Sequence, residues 1–166
     1  MIRLERITLQ NVLAFKTIRL CALKSDPTAF GSTYAKESPF SDDEWIKRAV
    51  RWSSEGSIAY LALNGENACG LVACCTDEHD PERAHVISMW VDPGWRRAGV
   101  GTALIEGLQW WASSRKIREL VLMVTHINTG AIGFYQRMGF QRTGKTEPYP
   151  NDQAITEYEM VLPLSS

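Results

Sequence analysis

The spacing of apolar and polar residues predicts a chain of alternating strands and helices. Residues 2–7 alternate apolar and charged side chains, which is typical of a half-exposed strand. Thr8 supplies a helix N-cap, and apolar residues then recur at helical spacing until a break at residues 26–27. Ser41 and Glu44 form a capping-box pair, which predicts that a second helix begins there.

Three strands and a helix are predicted for the middle of the chain. Two apolar stretches, 58–63 and 69–76, flank the Asn-Gly-Glu-Asn sequence of residues 64–67, which is a strong hairpin signal. Residues 84–91 form a third long strand. From residue 100 to 112, apolar side chains share one face of a helix that follows a glycine-rich turn.

The C-terminal third continues the alternation. Residues 120–124 predict a buried strand, and residues 129–138 predict a short helix. A strand near residues 141–144, a proline-rich loop and a last strand at 157–162 follow. Residues 1–166 are therefore expected to form a single α/β domain, a mixed and largely antiparallel twisted sheet with helices on both faces.

Composition narrows the classes of function. The 166 residues are 45% hydrophobic and 22% charged, with a formal net charge of −1, which is typical of a globular domain. This near-neutral balance argues against a nucleic-acid partner, because phosphate binding needs a basic surface. No stretch approaches the roughly 20 apolar residues of a membrane span, so no membrane partner is expected.

The cysteines predict neither a disulfide framework nor a metal site. Cys21, Cys69, Cys74 and Cys75 form no Cys-x-x-Cys pair and have no histidine at metal-ligand spacing. The neighbours Cys74 and Cys75 would point to opposite faces of a strand, which makes them poor disulfide partners. Small core thiols in a reducing cytoplasm are therefore expected, and no metal is predicted.

The strongest chemical signal lies where the strand at residues 84–91 turns into the next helix. Gly99 and Gly101 let the backbone approach a ligand closely, and the first amides of a helix have no partner within it. Arg96 and Arg97 add positive charge to the positive end of the helix dipole. The turn predicts a diphosphate site, although a plain tight turn fits the two glycines equally well.

Two familiar phosphate motifs do not fit this turn. No Gly-Lys-Ser/Thr sequence follows it, which excludes a Walker loop. The third glycine and the acidic ribose-binding residue of the dinucleotide fingerprint are also missing.

Two motifs resemble those of the GNAT superfamily of N-acetyltransferases, and they stand in the same order along the chain. Arg96-x-x-Gly99-x-Gly101, following Val91-x-Pro93, is similar to the pyrophosphate motif of that family. Residues 128–140, Asn-x-x-Ala-x-x-Phe-Tyr-x-x-x-Gly-Phe, are similar to its second cofactor motif. The resemblance extends over essentially the whole chain. It implies the GNAT acyl-CoA N-acyltransferase fold, with acetyl-CoA as the donor.

The resemblance also implies roles for individual residues. Main-chain groups of Val91 would pair with the pantetheine arm, and Asn128 would hydrogen-bond it while also capping its helix. The amide of Met89, near the family's bulge in this strand, would polarise the thioester carbonyl. Tyr135 would lie near the sulfur. The pyrophosphate would lie on the turn, with the charges of its two arginines beside it and the amides of these residues around it: Arg97, Ala98, Gly99, Val100, Gly101 and Thr102.

Acetyl transfer to an amine requires proton removal, since an amine with a pKa of about 10.4 is almost fully protonated at neutral pH. Tyr135 is the expected general acid for the leaving thiolate, and an aromatic ring that only packs under its helix is the alternative. His85 stands where some family members carry a glutamate on this strand, and histidine suits a general base. It shares a face with Met89 only if no bulge intervenes. A structural or surface histidine stays open, and Glu37 is a second candidate base unless it is merely solvated.

The family places acceptor specificity on two segments, which here are residues 26–41 and 146–152. Both mix aromatic side chains with carboxylates, as a pocket for a cationic amine would, with Tyr34, Trp45 and Tyr149 as candidate walls. Acidic loops that are simply solvated are the alternative interpretation.

The expected function is acetyl-CoA-dependent N-acetyl transfer to a primary amine of a small molecule or peptide, by direct attack in a ternary complex. A non-catalytic acyl-CoA-binding or sensing module of the same fold is the alternative. A different nucleotide-binding protein fits least well, since the Walker and dinucleotide motifs are absent. Trp110 and Trp111 cannot both face the core from one helix, so an exposed tryptophan is expected and a homodimer stays open.

Overall fold

Seven strands and five α-helices make up residues 1–165, the part of the chain that the computed structural model describes. The strands are β1 (Ile2–Arg6), β2 (Ser57–Asn64), β3 (Asn67–Thr76), β4 (Arg83–Val91), β5 (Glu119–Thr125), β6 (Gln141–Tyr149) and β7 (Asp152–Pro163). The helices are α1 (Val12–Ser25), α2 (Tyr34–Glu37), α3 (Asp42–Trp52), α4 (Val100–Ser113) and α5 (Thr129–Arg137). No helix in this range has the length and apolar content that crossing a membrane requires.

The strands form one sheet in the order β1-β2-β3-β4-β5-β7-β6. Strands β4 and β5 run parallel, and the other neighbours run antiparallel. The parallel pairing is short, because it ends where His85 lies opposite Val121 while both strands continue. Beyond that pair the sheet opens between β4 and β5, and we call this opening the cleft. The expected mixed, largely antiparallel sheet is confirmed.

Helices cover both faces of the sheet, as expected. On one side, which we call the α4 face, Leu104, Ile105 and Leu108 are fully buried against the strands. On the other, the α1 face, Phe15 of α1 and Trp45 of α3 belong to a second buried cluster. Each helix buries the side on which its apolar residues recur every three or four positions, so periodicity alone assigns the packed face. The two clusters fix the central strands from above and below.

Several local predictions are confirmed. The Ser41 hydroxyl accepts a hydrogen bond from the Glu44 amide (3.2 Å) at the start of α3. Residues 64–67 form the β2–β3 hairpin, with Asn64 opposite Asn67. Trp111 is 2% exposed and Trp110 is 73% exposed, which is the expected division of this pair.

The cysteines follow the expectation only in part. All four are free thiols, and Cys69 and Cys74 are buried in the core. Burial raises the pKa of the Cys74 thiol, which therefore stays protonated. Cys21, however, is exposed rather than part of the core.

The proline-rich loop predicted after residue 144 is wrong. Strand β6 continues to Tyr149, and Pro148 pairs in register with Thr156 of β7. A proline is tolerated there because β6 is the edge strand, whose outer side needs no amide donor. The last two strands therefore form a long hairpin that carries side chains back beside β5.

Candidate active site

The turn between β4 and α4 presents a row of backbone amides without partners in the protein. Asp92 accepts a hydrogen bond from the Gly94 amide (2.8 Å) and opens a short 3-10 turn over Pro93–Trp95. Helix α4 then begins at Val100. Within residues 1–165, no amide from Arg97 to Thr102 donates to a protein acceptor. Such amides at a helix start favour an anion.

The two glycines of the turn have different roles. Gly99 has φ +84° and no atom within 4 Å of the place where a Cβ would stand, so it supplies left-handed backbone beside open space. At Gly101 a Cβ would lie 2.9 Å from Cζ of Phe134. A side chain at position 101 would therefore collide with α5, which packs directly on the helix start.

A cavity of about 750 Å³ lies beside this turn, and we call it the turn cavity. All but two of the cofactor-binding residues predicted from the sequence line this cavity. Those that do are Met89, Val91, Arg96, Arg97, Gly99, Gly101, Thr102, Asn128 and Tyr135. Ala98 and Val100 do not line the cavity, and the Val100 side chain is buried in the core with 1% exposure. Those two positions can contribute only their amides.

Arg96 is held by the protein rather than extended over the turn. Its Nε donates to the carbonyl of Val91 (2.9 Å), and Nη2 donates to Oδ2 of Asp26 (3.0 Å). The Trp90 indole also donates to Asp26 (2.7 Å). Burial opposes ionisation of Asp26, but these hydrogen bonds and the Arg96 charge outweigh it and lower the pKa of the carboxyl. One lone pair of the Val91 carbonyl is thus already engaged.

Strand β4 carries a bulge at the edge of the cleft. Leu71 of β3 faces Trp90 and Ala73 faces Ile87, so β4 has one residue more than β3 between these pairs. Ser88 has φ 58°, a left-handed conformation that costs a non-glycine residue energy. The Asp92 amide donates to β3 at Cys69, so strand alternation turns the amide of Val91 toward the cleft.

The bulge separates His85 from Met89. Val86 and Met89 both pack on the α4 face, which places the His85 side chain on the α1 face. The two residues share a face only in an unbroken strand, and this strand is broken. His85 lies 2.6 Å from Asp77 through its Nε2, and this hydrogen bond is the main cause that lowers the pKa of Asp77 to about 2. His85 is oriented by a carboxylate, on the opposite side of β4 from Met89.

A buried ion-pair network holds the bulge from the α1 face. Arg19 donates to Ser88 Oγ (2.9 Å) and makes two hydrogen bonds of 3.0 Å to Glu37. Arg48 makes a third contact to Glu37 (2.6 Å). Burial opposes ionisation of Glu37, but the two arginines prevail and lower its pKa to about 2.

The expectation that Glu37 is either a base or a solvated side chain is wrong. Glu37 is 1% exposed and lies between two guanidinium groups, which keep it ionised near neutral pH. A carboxylate held in this way cannot usefully accept a proton near neutral pH. Its place in the network is structural.

A second cavity of about 410 Å³ lies on the α1 face of the cleft, and we call it the sheet cavity. It is lined by His85 and Ser88 of β4, by β5, and by the segment after α1. The two cavities meet at a junction of residues that line both: Ala29, Met89, Asn128, Ala131 and Tyr135. The cleft therefore joins the two faces of the sheet at one point.

Tyr135 stands at this junction. It is 7% exposed, and its hydroxyl takes part in no side-chain hydrogen bond within residues 1–165. Burial raises its pKa, so the hydroxyl keeps its proton at neutral pH. The ring packs edge-on against Phe140, with centroids 5.5 Å apart, which fixes its direction. Asn128, beside it, accepts from the Ala131 amide (3.2 Å) as the cap of α5.

The two predicted acceptor segments contact each other, but only one of the three aromatic residues predicted as pocket walls takes part. Tyr149 lines the sheet cavity, and its hydroxyl donates to the carbonyls of Pro27 and Phe30. Trp45 is instead 1% exposed in the core, and Tyr34 is an exposed residue beside Lys24. These two aromatic residues do not line the sheet cavity.

Sequence reasoning missed four polar residues of the sheet cavity: Arg19, Ser88, Thr125 and Glu157. Arg19 could have been identified from the sequence, because it is a charged residue at a helical position flanked by apolar residues of α1. No sequence pattern identifies Ser88, Thr125 and Glu157, since their positions depend on a bulge and on strand pairing.

A comparison with family models identifies the family to which this fold belongs. Residues 22–140 match the model of the acetyltransferase (GNAT) family, which is more than half of the chain. The chain therefore belongs to the GNAT acetyltransferase family.

Individual relatives share part of the chain. An uncharacterized N-acetyltransferase of Methanocaldococcus jannaschii is 32% identical over 109 residues, covering 61% of this chain and 48% of that protein. A peptidyl-lysine N-acetyltransferase of Salmonella typhimurium is 36% identical over 72 residues, covering 40% and 46%. The chain thus spans about half the length of these relatives. A GNAT-family acetyltransferase structure from Streptococcus pneumoniae superposes with a TM-score of 0.82 at 20% identity, over 99% of this chain and all of that one, and shows the same fold.

Proposed function

We propose that this enzyme transfers the acetyl group of acetyl-CoA to a primary amine, by direct attack while both substrates are bound. The observation that carries the proposal is the junction of the two cavities at Met89 and Tyr135. A donor in the turn cavity and an amine in the sheet cavity would reach each other only there. Simultaneous binding is therefore the simplest route to transfer.

The turn cavity fits acetyl-CoA as donor. Its free amides from Arg97 to Thr102 suit a pyrophosphate, and the open space beside Gly99 leaves the approach clear. The cleft-facing amide of Val91 remains available to pair with a pantetheine amide, although Arg96 already uses the Val91 carbonyl. Acetyl-CoA supplies an activated acetyl thioester when bound.

Two groups at the junction support the transfer itself. The amide of Met89, a residue that lines both cavities at the bulge, is proposed to donate to the thioester carbonyl oxygen as charge develops there. Tyr135 is proposed as the general acid, because a buried, protonated and unpaired hydroxyl can give its proton to the departing sulfur.

The base is proposed to be His85, working through water. Its ring lines the sheet cavity and is oriented by Asp77. The short β4–β5 pairing puts it at the closed end of the cleft, so a direct contact with the amine is not expected. A chain of water molecules along the sheet cavity would connect the two.

The acceptor class is proposed to be a primary amine of a small molecule or a peptide. One relative is named for peptidyl-lysine, which is such an amine. The sheet cavity is open and lined by polar as well as apolar groups, so a side chain or a small amine can enter. A location in the cytoplasm and a homodimer stay predictions.

A thiol-release assay with acetyl-CoA and a panel of amines tests this function. The panel holds butylamine, spermidine, lysine amide and a tetrapeptide with a free N-terminus. Release of CoA that depends on one of these amines is expected. Tight binding of acetyl-CoA with no turnover on any amine would instead favour a non-catalytic acyl-CoA-binding module.

A further inference from the structure

We propose that Glu157 and Thr125 form the site that holds the ammonium group of the acceptor. The inference rests on the proposed function and adds the chemical class that the sheet cavity selects, a primary alkylammonium ion. Both side chains line that cavity, although neither belongs to the motifs or to the predicted acceptor segments.

Strand pairing brings the two residues together. Thr125 at the end of β5 lies directly opposite Glu157 of β7. Opposite residues of an antiparallel pair point to the same face. Their neighbours Val124 and Tyr158 pack on the α4 face, so Thr125 and Glu157 point to the α1 face, where the sheet cavity lies.

The parallel register places this pair level with the reaction junction. His85 of β4 lies opposite Val121 of β5, and both Met89 and Thr125 follow four residues later. At about 3.3 Å per residue, Thr125 lies roughly 13 Å beyond Val121, and Met89 lies slightly less far because of the bulge. Glu157 is thus across the cleft from Met89, whereas His85 is at the closed end.

The unpaired hydroxyl of Thr125 indicates a ligand-binding position. Thr125 is 4% exposed, and its Oγ1 is buried without a hydrogen-bond partner within residues 1–165. A buried hydroxyl in that state costs free energy until something pairs with it. An ammonium group has three donors, so it can donate to Thr125 and to the adjacent Glu157 carboxylate at once.

The charges around the cavity favour a cation. Glu157 makes no ion pair within the described residues, whereas Glu159 on the same strand pairs with Arg83 and Lys145. The other charged group deep in the cavity, Arg19, is paired with Glu37. Burial and the charge of Glu147 both raise the pKa of Glu157. A bound ammonium would offset both effects and keep Glu157 ionised.

The test uses steady-state kinetics with any amine that the panel identifies. Glu157→Gln is expected to raise the KM for that amine about 10- to 100-fold, the range that loss of one charged hydrogen bond gives. The KM for acetyl-CoA should stay unchanged. Thr125→Val should raise the amine KM about threefold to tenfold. The matched control is Glu147→Gln, which removes the same charge directly across from Glu157 but outside the cavity lining.

A binding titration keeps this inference separate from the proposed function. Butylammonium chloride should shift the Thr125 methyl resonance of the wild-type protein and of Glu147→Gln saturably, and n-butanol should not. An equal response of Glu157→Gln, or an unchanged amine KM in that variant, would overturn the ammonium site even if acetyl transfer is confirmed. Saturable binding without turnover on any amine would support the ammonium site and contradict the proposed function instead. Thermal melts of all variants check that they fold.

Discussion

The turn cavity and the sheet cavity are built in opposite ways. The turn cavity presents backbone amides and glycines that lie within one stretch of 14 residues, from Met89 to Thr102. The sheet cavity presents side chains that come from α1, from β4 and β5, and from the final hairpin. One region depends on local chain geometry, and the other depends on contacts between distant elements.

This difference indicates how each region tolerates change. Amides exist in every residue type but proline, so the turn can lose side chains and still bind, provided that its glycines remain. The sheet cavity has no such redundancy. Arg19, which contacts the bulge at Ser88, is held by Glu37, and Glu37 is held in turn by Arg48, so the loss of one member leaves the others without a partner.

The largest effect is expected from Glu37→Gln, which breaks the network behind the sheet cavity. Two arginines would lose their carboxylate in a buried place, which should cost about 3–5 kcal/mol of unfolding free energy. Urea unfolding measures this cost, with the exposed Glu55→Gln as a control of equal charge change. Equal stability of the two variants would show that the network is not needed.

The same variant should change the acid dependence of stability. The folded-state pKa of Glu37 is about 2, below its ordinary 4.5, so Glu37 stabilises the fold above pH 4.5. That contribution is lost as the pH falls from about 4.5 to 2. Unfolding free energy across this window should therefore decline less in Glu37→Gln than in the wild type.

The next effect concerns the turn cavity. Gly99→Asp puts a carboxylate where the pyrophosphate is proposed to lie, and it should weaken acetyl-CoA binding by about hundredfold or more. Gly99→Asn is the matched control, since asparagine also tolerates the left-handed backbone at φ +84° but carries no charge. If calorimetry gives the two variants equal affinities for acetyl-CoA, a negative charge at position 99 does not affect binding and the proposed pyrophosphate position is wrong.

A smaller effect is expected at the junction. Tyr135→Phe removes the proposed acid and should lower kcat by about 10- to 100-fold while acetyl-CoA affinity stays the same. Tyr158→Phe, which alters a tyrosine on the α4 face outside both cavities, serves as the control. If the two variants turn over at the same rate, Tyr135 only packs.

The smallest effect is expected at the closed end of the cleft. His85→Ala should remove the acidic limb of the pH–rate profile and lower the rate about tenfold, because a base that works through water is partly replaced by solvent. The exposed His79→Ala controls for loss of an imidazole near the same turn. A profile that matches the wild type would exclude His85 as the base.

Most of the elements could be predicted, and the errors have physical causes. Helices α3 and α4 were predictable because caps and apolar spacing act within a few residues. The continuation of β6 beyond residue 144 was not, because Pro148 is permitted only by an edge position that the sheet order sets. Trp45 was assigned to a pocket wall because an aromatic residue near carboxylates has the same sequence pattern whether it packs inside or outside.

The sequence by itself determined the turn from Arg96 to Thr102, because glycines and a helix start create free amides wherever they occur. It also determined that α5 begins directly after its cap, Asn128, and therefore that Tyr135 lies within this helix. The tertiary structure alone decided which groups line the sheet cavity. A bulge at Ser88 turned Met89 away from His85, and β5–β7 register set Glu157 beside Thr125. Register depends on residues far apart in the chain, so no local pattern records it.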